Sequence, residues 1–311
     1  MLAGSRRRFF RALAGVAFAG LGARVARPQA ADGSLAMAEL RGGLALITGA
    51  GANVVVLARP EGLLMVDSGS PESAPNLQRF VMERFSAATV QALFNTHWHL
   101  EHTGGNEALT HDGTTIVAHE NTRLWMSTKF YVEWENRRYS PRPTSACPNK
   151  TFFSSDRQPL DFGFGGEKVY YGHLPEAHTD GDIYVAFPDQ NVIVAGGTVS
   201  VGRYPVLDYI TGGWVGGMMD AIQTLMDMAD EETLIIPDAG PPQNRAHLQD
   251  QMQMLGAVRE RVEAMALKGQ GIDDMIAARV TAEFEDRYGG DVELFISNMY
   301  EGLWWNRLRA I

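Results

Sequence analysis

The chain has little cysteine and comparatively few basic residues. Cys147 is its one cysteine, so the chain cannot form an internal disulfide and must rely on an ordinary apolar core. There are 27 lysines and arginines against 37 aspartates and glutamates, which gives a net charge of −10. An acidic surface repels phosphate backbones, and this argues against nucleic acid as a partner.

Apolar runs long and charge-free enough for a transmembrane helix are absent. Residues 12–22 are apolar but short, and they follow the basic segment Ser5-Arg6-Arg7-Arg8-Phe9-Phe10-Arg11. This order resembles a twin-arginine export signal, with a cleavage point near Ala30 and Ala31. We therefore expect residues 1–31 to be a signal peptide and the mature protein to be periplasmic or otherwise exported. A basic, unstructured start is the alternative.

Export would make the mature chain more acidic. Residues 1–30 contain six arginines and no acidic residue, so their removal changes the net charge from −10 to −16. About 280 residues would remain, enough to bury one large core in a single domain or in a domain with an appendage.

Short aliphatic runs broken by glycine, asparagine or proline predict strands. These runs occupy residues 44–57, 62–66, 90–94, 114–118, 168–172, 183–187, 192–195 and 233–236. Helical spacing of apolar residues is found at 76–85, and an aromatic-rich stretch at 120–134 is also predicted to be helical, as core or as a pocket wall. Residues 139–150 are proline-rich and predict a loop over the site. Strands grouped between helices predict an α/β fold of sheets packed between helical layers.

The sequence changes character after Pro241-Pro242. Apolar residues recur every three or four positions from Leu248 to Met265, which predicts one long amphipathic helix. Two shorter helical patterns follow. This extension is expected either to pack on the main domain or to make a dimer contact.

Three of the eight histidines, His97, His99 and His102, lie within the segment 95–106, NTHWHLEHTGGN, directly after an apolar run. Imidazole is the commonest protein ligand for zinc. If His97 and His99 continue the alternation of the strand, both project from one face and can hold a single ion. His178 lies in another loop before a strand and supplies a third imidazole. Three histidines leave one zinc position for water, and a zinc ion held in this way lowers the pKa of that water from about 15.7 to about 7.

With these motifs the chain resembles the metallo-β-lactamase superfamily of metal-dependent hydrolases. The resemblance runs through nearly all of residues 40–245 and is carried by segments 64–69, 95–106, 178–182, 192–197 and 235–241. It implies a four-layer αβ/βα sandwich with the metals at one edge between two central sheets. It also implies a domain at 35–245, followed by a helical extension at 246–311.

The resemblance makes His97, His99 and His178 the first metal site. The second site of the family takes an aspartate and a histidine from the first motif, a bridging aspartate, and a histidine in a turn. In this chain those four positions hold Glu101, His102, Gly197 and Ala239. Three of the four differ from the residues that the family pattern has there. Glycine and alanine carry no ligand atom, so one zinc ion is favoured over two, with His102 belonging to a weak second site.

Acidic residues near these motifs have expected roles in catalysis or in orienting ligands. Glu101 is expected to accept or relay a proton, or to orient an imidazole. Asp67, Asp182 and Asp238 are expected to act behind the ligands, although Asp182 could equally cap its own turn. Whether Asp238 replaces the missing turn ligand stays open.

Two functions follow. The first is an exported, mononuclear zinc hydrolase in which zinc-bound hydroxide attacks a small ester, lactone, thioester or amide, with β-lactams among the candidates. The second is a catalytically degenerate relative that serves as a periplasmic binding or partner protein. The sequence leaves the oligomeric state open.

Overall fold

The structure is a computed structural model and describes residues 34–86, 89–153 and 159–309. The predicted signal peptide lies outside these ranges. The strands are β1 (Ala36–Glu39), β2 (Leu44–Ala50), β3 (Ala52–Arg59), β4 (Gly62–Val66), β5 (Val90–Phe94), β6 (Thr115–His119), β7 (Phe130–Val132), β8 (Arg137–Tyr139), β9 (Lys150–Phe152), β10 (Leu160–Phe164), β11 (Glu167–His173), β12 (Ile183–Phe187), β13 (Val192–Gly196) and β14 (Leu234–Pro237). The α-helices are α1 (Ala74–Arg84), α2 (Leu100–Thr103), α3 (Asn106–Leu109), α4 (Glu120–Ser127), α5 (Val215–Met228), α6 (Arg245–Ala266), α7 (Ile272–Ala277) and α8 (Val292–Arg309).

Two large sheets form the centre of the fold. The first has the order β1-β2-β3-β4-β5-β6-β9, antiparallel from β1 to β4 and parallel from β4 to β9. The second has the order β10-β11-β12-β13-β14, in which only β13 and β14 run parallel. Strands such as β4 and β12 are buried along their whole length, as their continuous apolar sequences require.

Apolar side chains hold four layers together. Val66 and Phe94 of the first sheet pack against Val185 and Val194 of the second, and these residues form the core between the sheets. Leu77 of α1 packs on the outer face of the first sheet. Helices α5, α6 and α8 cover the outer face of the second sheet. The order helix, sheet, sheet, helix confirms the expected four-layer αβ/βα sandwich.

The motifs of the sequence meet at one edge of the two sheets. Strands β4, β5 and β6 are parallel neighbours, so the residues that follow them emerge on the same side. The loop before β12 reaches the same edge, because β12 is antiparallel to β13. The backbone N–H of Ile183 donates to the carbonyl oxygen of Thr96 at 2.8 Å and thereby joins the two sheets beside the histidine motif.

One predicted helix is wrong in its second half. Helix α4 ends at Ser127, and the following aromatic residues form the hairpin β7–β8. Phe130, Tyr131 and Val132 are good strand formers, and Asn136 takes the left-handed conformation that the turn needs, with φ of 49°. Phe130 stacks on Tyr139 across the hairpin, with ring centroids 5.1 Å apart. Cross-strand packing therefore outweighs the helical spacing.

The helical extension packs on the main domain. Helix α6 lies where the apolar spacing predicted it, and its Leu255 and Val258 share a core with Phe295 of α8 and Ile222 of α5. Of the two roles expected for the extension, packing on the domain is the one that the structure describes. No helix among the described residues combines the length and apolar character of a membrane span.

Candidate metal centre

Two histidines of the motif lie in a loop rather than in a strand, and His102 lies in α2. Strand β5 ends at Phe94, and His97 and His99 lie between it and α2. The condition that His97 and His99 continue the alternation of the strand is therefore not met. Hydrogen bonds fix the loop instead: Asp67 accepts from the backbone N–H of Thr96 at 2.8 Å. Asn106 also braces it, because its Nδ2 donates to Asn95 Oδ1 at 2.8 Å.

The loop brings His97, His99 and His178 together. One ring nitrogen from each lies within 4.8 Å of the others, and all three side chains are buried. Among the described residues, Nε2 of His97 has no hydrogen-bond partner. A buried, unpartnered nitrogen of this kind needs an explanation, and coordination of a metal ion supplies one.

The hydrogen bonds behind two of the rings fix which nitrogen His99 and His178 present. His178 Nδ1 donates to the carbonyl oxygen of Val206 at 2.7 Å, and His99 Nε2 donates to Asp208 Oδ2 at 3.1 Å. Since carbonyl and carboxylate oxygens only accept, His178 Nε2 and His99 Nδ1 keep their lone pairs. These two nitrogens lie 2.8 Å apart. Facing lone pairs at that distance repel each other unless a proton or a metal ion lies between them, and the lowered pKa of His178 disfavours a proton on that ring.

Electrostatics keeps the rings in the state that a metal requires. Burial, aided by the neighbouring histidines, lowers the pKa of His97 well below its usual value. Burial and then His99 lower the pKa of His178 to about 3. Metal ligands must be unprotonated imidazoles, so the two rings are prepared for coordination. Three imidazoles match the donor set of a catalytic zinc site with one open position.

Asp208 orients His99, a role that the sequence analysis did not assign. It is buried, and its Oδ2 accepts from Thr211 Oγ1 at 2.6 Å as well as from His99. Its Oδ1 accepts from Trp134 Nε1 at 3.3 Å. Trp98 Nε1 donates to Thr211 Oγ1 at 3.1 Å, so the tryptophan inside the motif joins the same network. A carboxylate behind a ligating histidine fixes the ring and raises its basicity.

Asp67 performs a similar task for His102. It follows β4 with φ of 63°, and its Oδ2 accepts from His102 Nδ1 at 2.7 Å and from Thr96 Oγ1 at 2.8 Å. Burial acts to lower the pKa of His102, but the Asp67 carboxylate outweighs it, with help from Asp238 and Glu101, so that the pKa is raised. His102 lies next to the three-histidine cluster, and its ring is held by Asp67.

The remaining second-site positions offer little to a metal. A Cβ atom on Gly197 would lie 2.3 Å from Cδ2 of His178, so the ring fills the space that a bridging aspartate needs. Asp238 forms an ion pair with Arg203 and accepts from the N–H of Ala239 at 2.6 Å. Burial raises the pKa of Asp238, against the opposing effect of Arg203 and His102.

The other predicted acidic residues have different surroundings. Glu101 is exposed and lies in the wall of the cavity described below. Asp182 is buried and accepts from the N–H of Thr179 at 2.7 Å, so it shapes the turn that carries His178. Burial raises the pKa of Asp182 well above its usual value. The structure therefore places Asp182 in the turn and not among the metal-facing groups.

A cavity of about 470 Å³ opens over the histidine cluster. Glu101, His102 and Trp134 line it on one side, and residues of α8 line it on another. Of the aromatic residues considered as a pocket wall, Trp125 instead donates to Asp180 Oδ1 at 2.8 Å, and the partly exposed Tyr131 donates to Asn136 Oδ1 at 2.7 Å.

Comparisons with known proteins agree with this geometry. The sequence profile described as the metallo-beta-lactamase superfamily matches residues 47–264. A metallo-beta-lactamase from Pontibacter korlensis has a TM-score of 0.57 and 19% identity, covering 72% of this chain and 99% of its own. One from Hirschia baltica has 0.55 and 17%, covering 71% and 97%. A stereoselective inverting sec-alkylsulfatase from Pseudomonas sp. has 0.66 and 15%, covering 86% of this chain and 50% of its own. No curated protein matches the chain. At these identities the structures support the fold.

Proposed function

The chain belongs to the metallo-beta-lactamase superfamily, whose members are typically metal-dependent hydrolases, and we propose that it hydrolyses a small molecule with a single zinc ion. The proposed substrate class is a small ester, lactone, thioester or amide. The observation that carries this proposal is the cluster of His97, His99 and His178, in which hydrogen bonds turn unprotonated nitrogens toward one point.

A single ion is supported by the positions of the missing second-site ligands. The ring of His178 fills the space beside Gly197, so a bridging ligand has no room there. Arg203 engages Asp238, which leaves that carboxylate already paired with a cation. Glu101 and His102 then form an incomplete set, and incomplete sets hold metal ions weakly.

The residues of the chain divide the work of hydrolysis. His97, His99 and His178 would hold the zinc ion, which would supply an activated water near neutral pH and polarise a carbonyl group. Glu101 lies in the cavity wall and is exposed, so its carboxylate can accept the proton of the attacking water and pass it to the leaving group. Asp208 and Val206 hold His99 and His178 in position. Asp67 holds His102 at the side of the cavity.

The cavity supports a small substrate with little negative charge. Its volume of about 470 Å³ lies within the range typical of small-molecule sites. Its wall contains four carboxylates and one guanidinium group, those of Glu101, Glu135, Asp238, Asp291 and Arg203. Arg203 is already paired with Asp238. We therefore rank neutral esters and lactones above β-lactams, which carry a carboxylate, and above secondary alkyl sulfates.

The experiment is zinc reconstitution followed by a substrate panel. Protein stripped by a chelator is tested with and without one equivalent of zinc against neutral aryl esters, lactones, thioesters, a β-lactam and a secondary alkyl sulfate. Zinc-dependent hydrolysis of a neutral ester or lactone, abolished in His178→Ala, is the expected result. If stoichiometric zinc binds but no substrate is cleaved, the periplasmic binding or partner protein becomes the better account.

Export is a separate part of the proposal, supported by the paired arginines and the apolar run in residues 5–22. In a bacterial host with a twin-arginine pathway, we expect the protein in the periplasm with an N-terminus near residue 31. Replacing Arg6 and Arg7 together by lysine should leave an unprocessed chain in the cytoplasm. Processing and location that do not respond to this replacement would contradict twin-arginine export.

A further inference from the structure

Part of the cavity wall comes from the end of the chain, outside the segment that matches the superfamily. The match ends at residue 264, whereas the wall includes Leu294, Phe295 and Asn298 of α8. Gly290 and Asp291, just before the helix, also belong to the wall. Residues that the superfamily profile does not cover therefore face the same cavity as the three histidines.

Backbone hydrogen bonds and aromatic stacking attach this part of the wall to the loop beside the candidate metal centre. The N–H of Tyr204 donates to the carbonyl oxygen of Gly289 at 3.0 Å, and the N–H of Gly289 donates to Gly202 at 2.9 Å. The ring of Tyr204 stacks on Phe295, with centroids 4.7 Å apart and an interplanar angle of 17°. Two residues later, the carbonyl oxygen of Val206 accepts from His178. The same short loop thus positions α8 and a metal-facing histidine.

Asn298 stands out within this wall. It is 1% exposed, and its Nδ2 has no hydrogen-bond partner among the described residues. A buried amide donor without a partner is costly and uncommon in native proteins. Leu294 and Phe295, its neighbours in the wall, are apolar. The amide of Asn298 therefore resembles a hydrogen-bond donor kept for a ligand, beside the apolar side chains that α8 contributes to the wall.

We propose that Asn298 is a specificity-determining residue, whose amide donates to an uncharged carbonyl or ether oxygen of the substrate while Leu294 and Phe295 contact its apolar part. An uncharged oxygen fits best because carboxylates outnumber the guanidinium group in the cavity wall. This inference rests on the proposed function, since it assigns the substrate class of the same site.

Hydroxamates test the inference without relying on turnover, because they bind zinc directly. Zinc-loaded wild-type protein is titrated by calorimetry with a linear alkyl hydroxamate and with equally long analogues that carry a ketone oxygen at successive chain positions. We expect at least one ketone analogue to bind about five- to tenfold tighter than the alkyl compound, the effect of one neutral hydrogen bond. Asn298→Ala and Asn298→Leu should abolish that difference, and Ser297→Ala, a neighbour outside the wall, should keep it.

Thermal unfolding of the zinc-free variants separates this role from a structural one. Removing a buried donor that has no partner should leave the Tm unchanged or raise it in at least one of the two Asn298 variants. A large fall in Tm in both variants would mean that the amide has a structural partner and would overturn the inference.

The titrations also distinguish the two proposals. Wild-type protein that binds every hydroxamate equally well would overturn the role of Asn298 and leave the metal centre standing. Wild-type protein that takes up no zinc and binds no hydroxamate would contradict the proposed function and the inference that rests on it.

Discussion

Replacing Asp208 by asparagine should weaken zinc binding, although Asp208 is not one of the three proposed zinc ligands. The carboxylate accepts from His99 Nε2 and Thr211 Oγ1 through one oxygen and from Trp134 Nε1 through the other. An asparagine side chain has only one accepting oxygen. If that oxygen faces His99 and Thr211, the side-chain NH₂ group faces the N–H of Trp134, and two donors meet. In the opposite orientation the NH₂ group faces the N–H of His99.

The magnitude follows from the bond that is lost. A hydrogen bond to a charged group contributes about 1.5–3 kcal/mol, and replacing the partner of a ligating histidine typically costs 10- to 100-fold in metal affinity. A hundredfold change corresponds to about 2.7 kcal/mol, so the two estimates agree. We therefore expect the zinc Kd of Asp208→Asn to rise roughly 10- to 100-fold.

Competition with a chromogenic chelator measures this Kd. Asp189→Asn is the matched control, because Asp189 is exposed and lies in a short turn after β12. Wild-type affinity in Asp208→Asn would refute the argument that this carboxylate orients His99. Equal losses in both variants would show that the effect is one of general charge and not of the hydrogen bond.

Three further predictions concern the second site, catalysis and pH. Gly197→Asp should lower both the Tm and the zinc affinity, because the added Cβ would clash with the His178 ring. A second tightly bound zinc ion in this variant, measured by elemental analysis, would contradict the prediction. The Glu101→Gln variant should still bind zinc, but its kcat should be about 10²-fold lower or more on any substrate that the wild type cleaves. An unchanged kcat would show that Glu101 does not transfer the proton. Burial and then His173 lower the pKa of His119 to about 3 in the folded protein. Below about pH 6.5 the unfolded chain therefore binds a proton at His119 that the folded protein does not bind. Stability should thus fall as the pH drops from about 6.5 toward 3, and His119→Gln should show a shallower fall in Tm over this window than the wild type.

The sequence was most informative where apolar runs end in polar motifs. Strands β4 and β5 are buried on both faces, so their aliphatic sequences identified them, and their parallel pairing brings Asp67 and the histidine motif to one edge. The spacing of Leu248, Leu255 and Val258 likewise predicted α6, because one face of that helix is buried. In these elements local pattern and tertiary packing agree.

Contacts between distant segments could not be predicted in the same way. Asp208 follows an ordinary loop sequence, and its contact with His99 arises from residues 109 positions apart. Asn298 lies on a helix whose apolar residues already account for its packing, so its position in the cavity wall gave no signal. The hairpin β7–β8 was missed because aromatic residues fit a helix face and a pleated strand about equally well.

Zinc content per chain tests the central claim most directly. Elemental analysis is made on protein purified without added zinc, beside His178→Ala. A three-histidine centre with an incomplete second site predicts about one zinc per wild-type chain and its loss in the variant. Two zinc ions per chain would contradict the single-metal centre, and none, even after incubation with zinc, would contradict the metal centre itself.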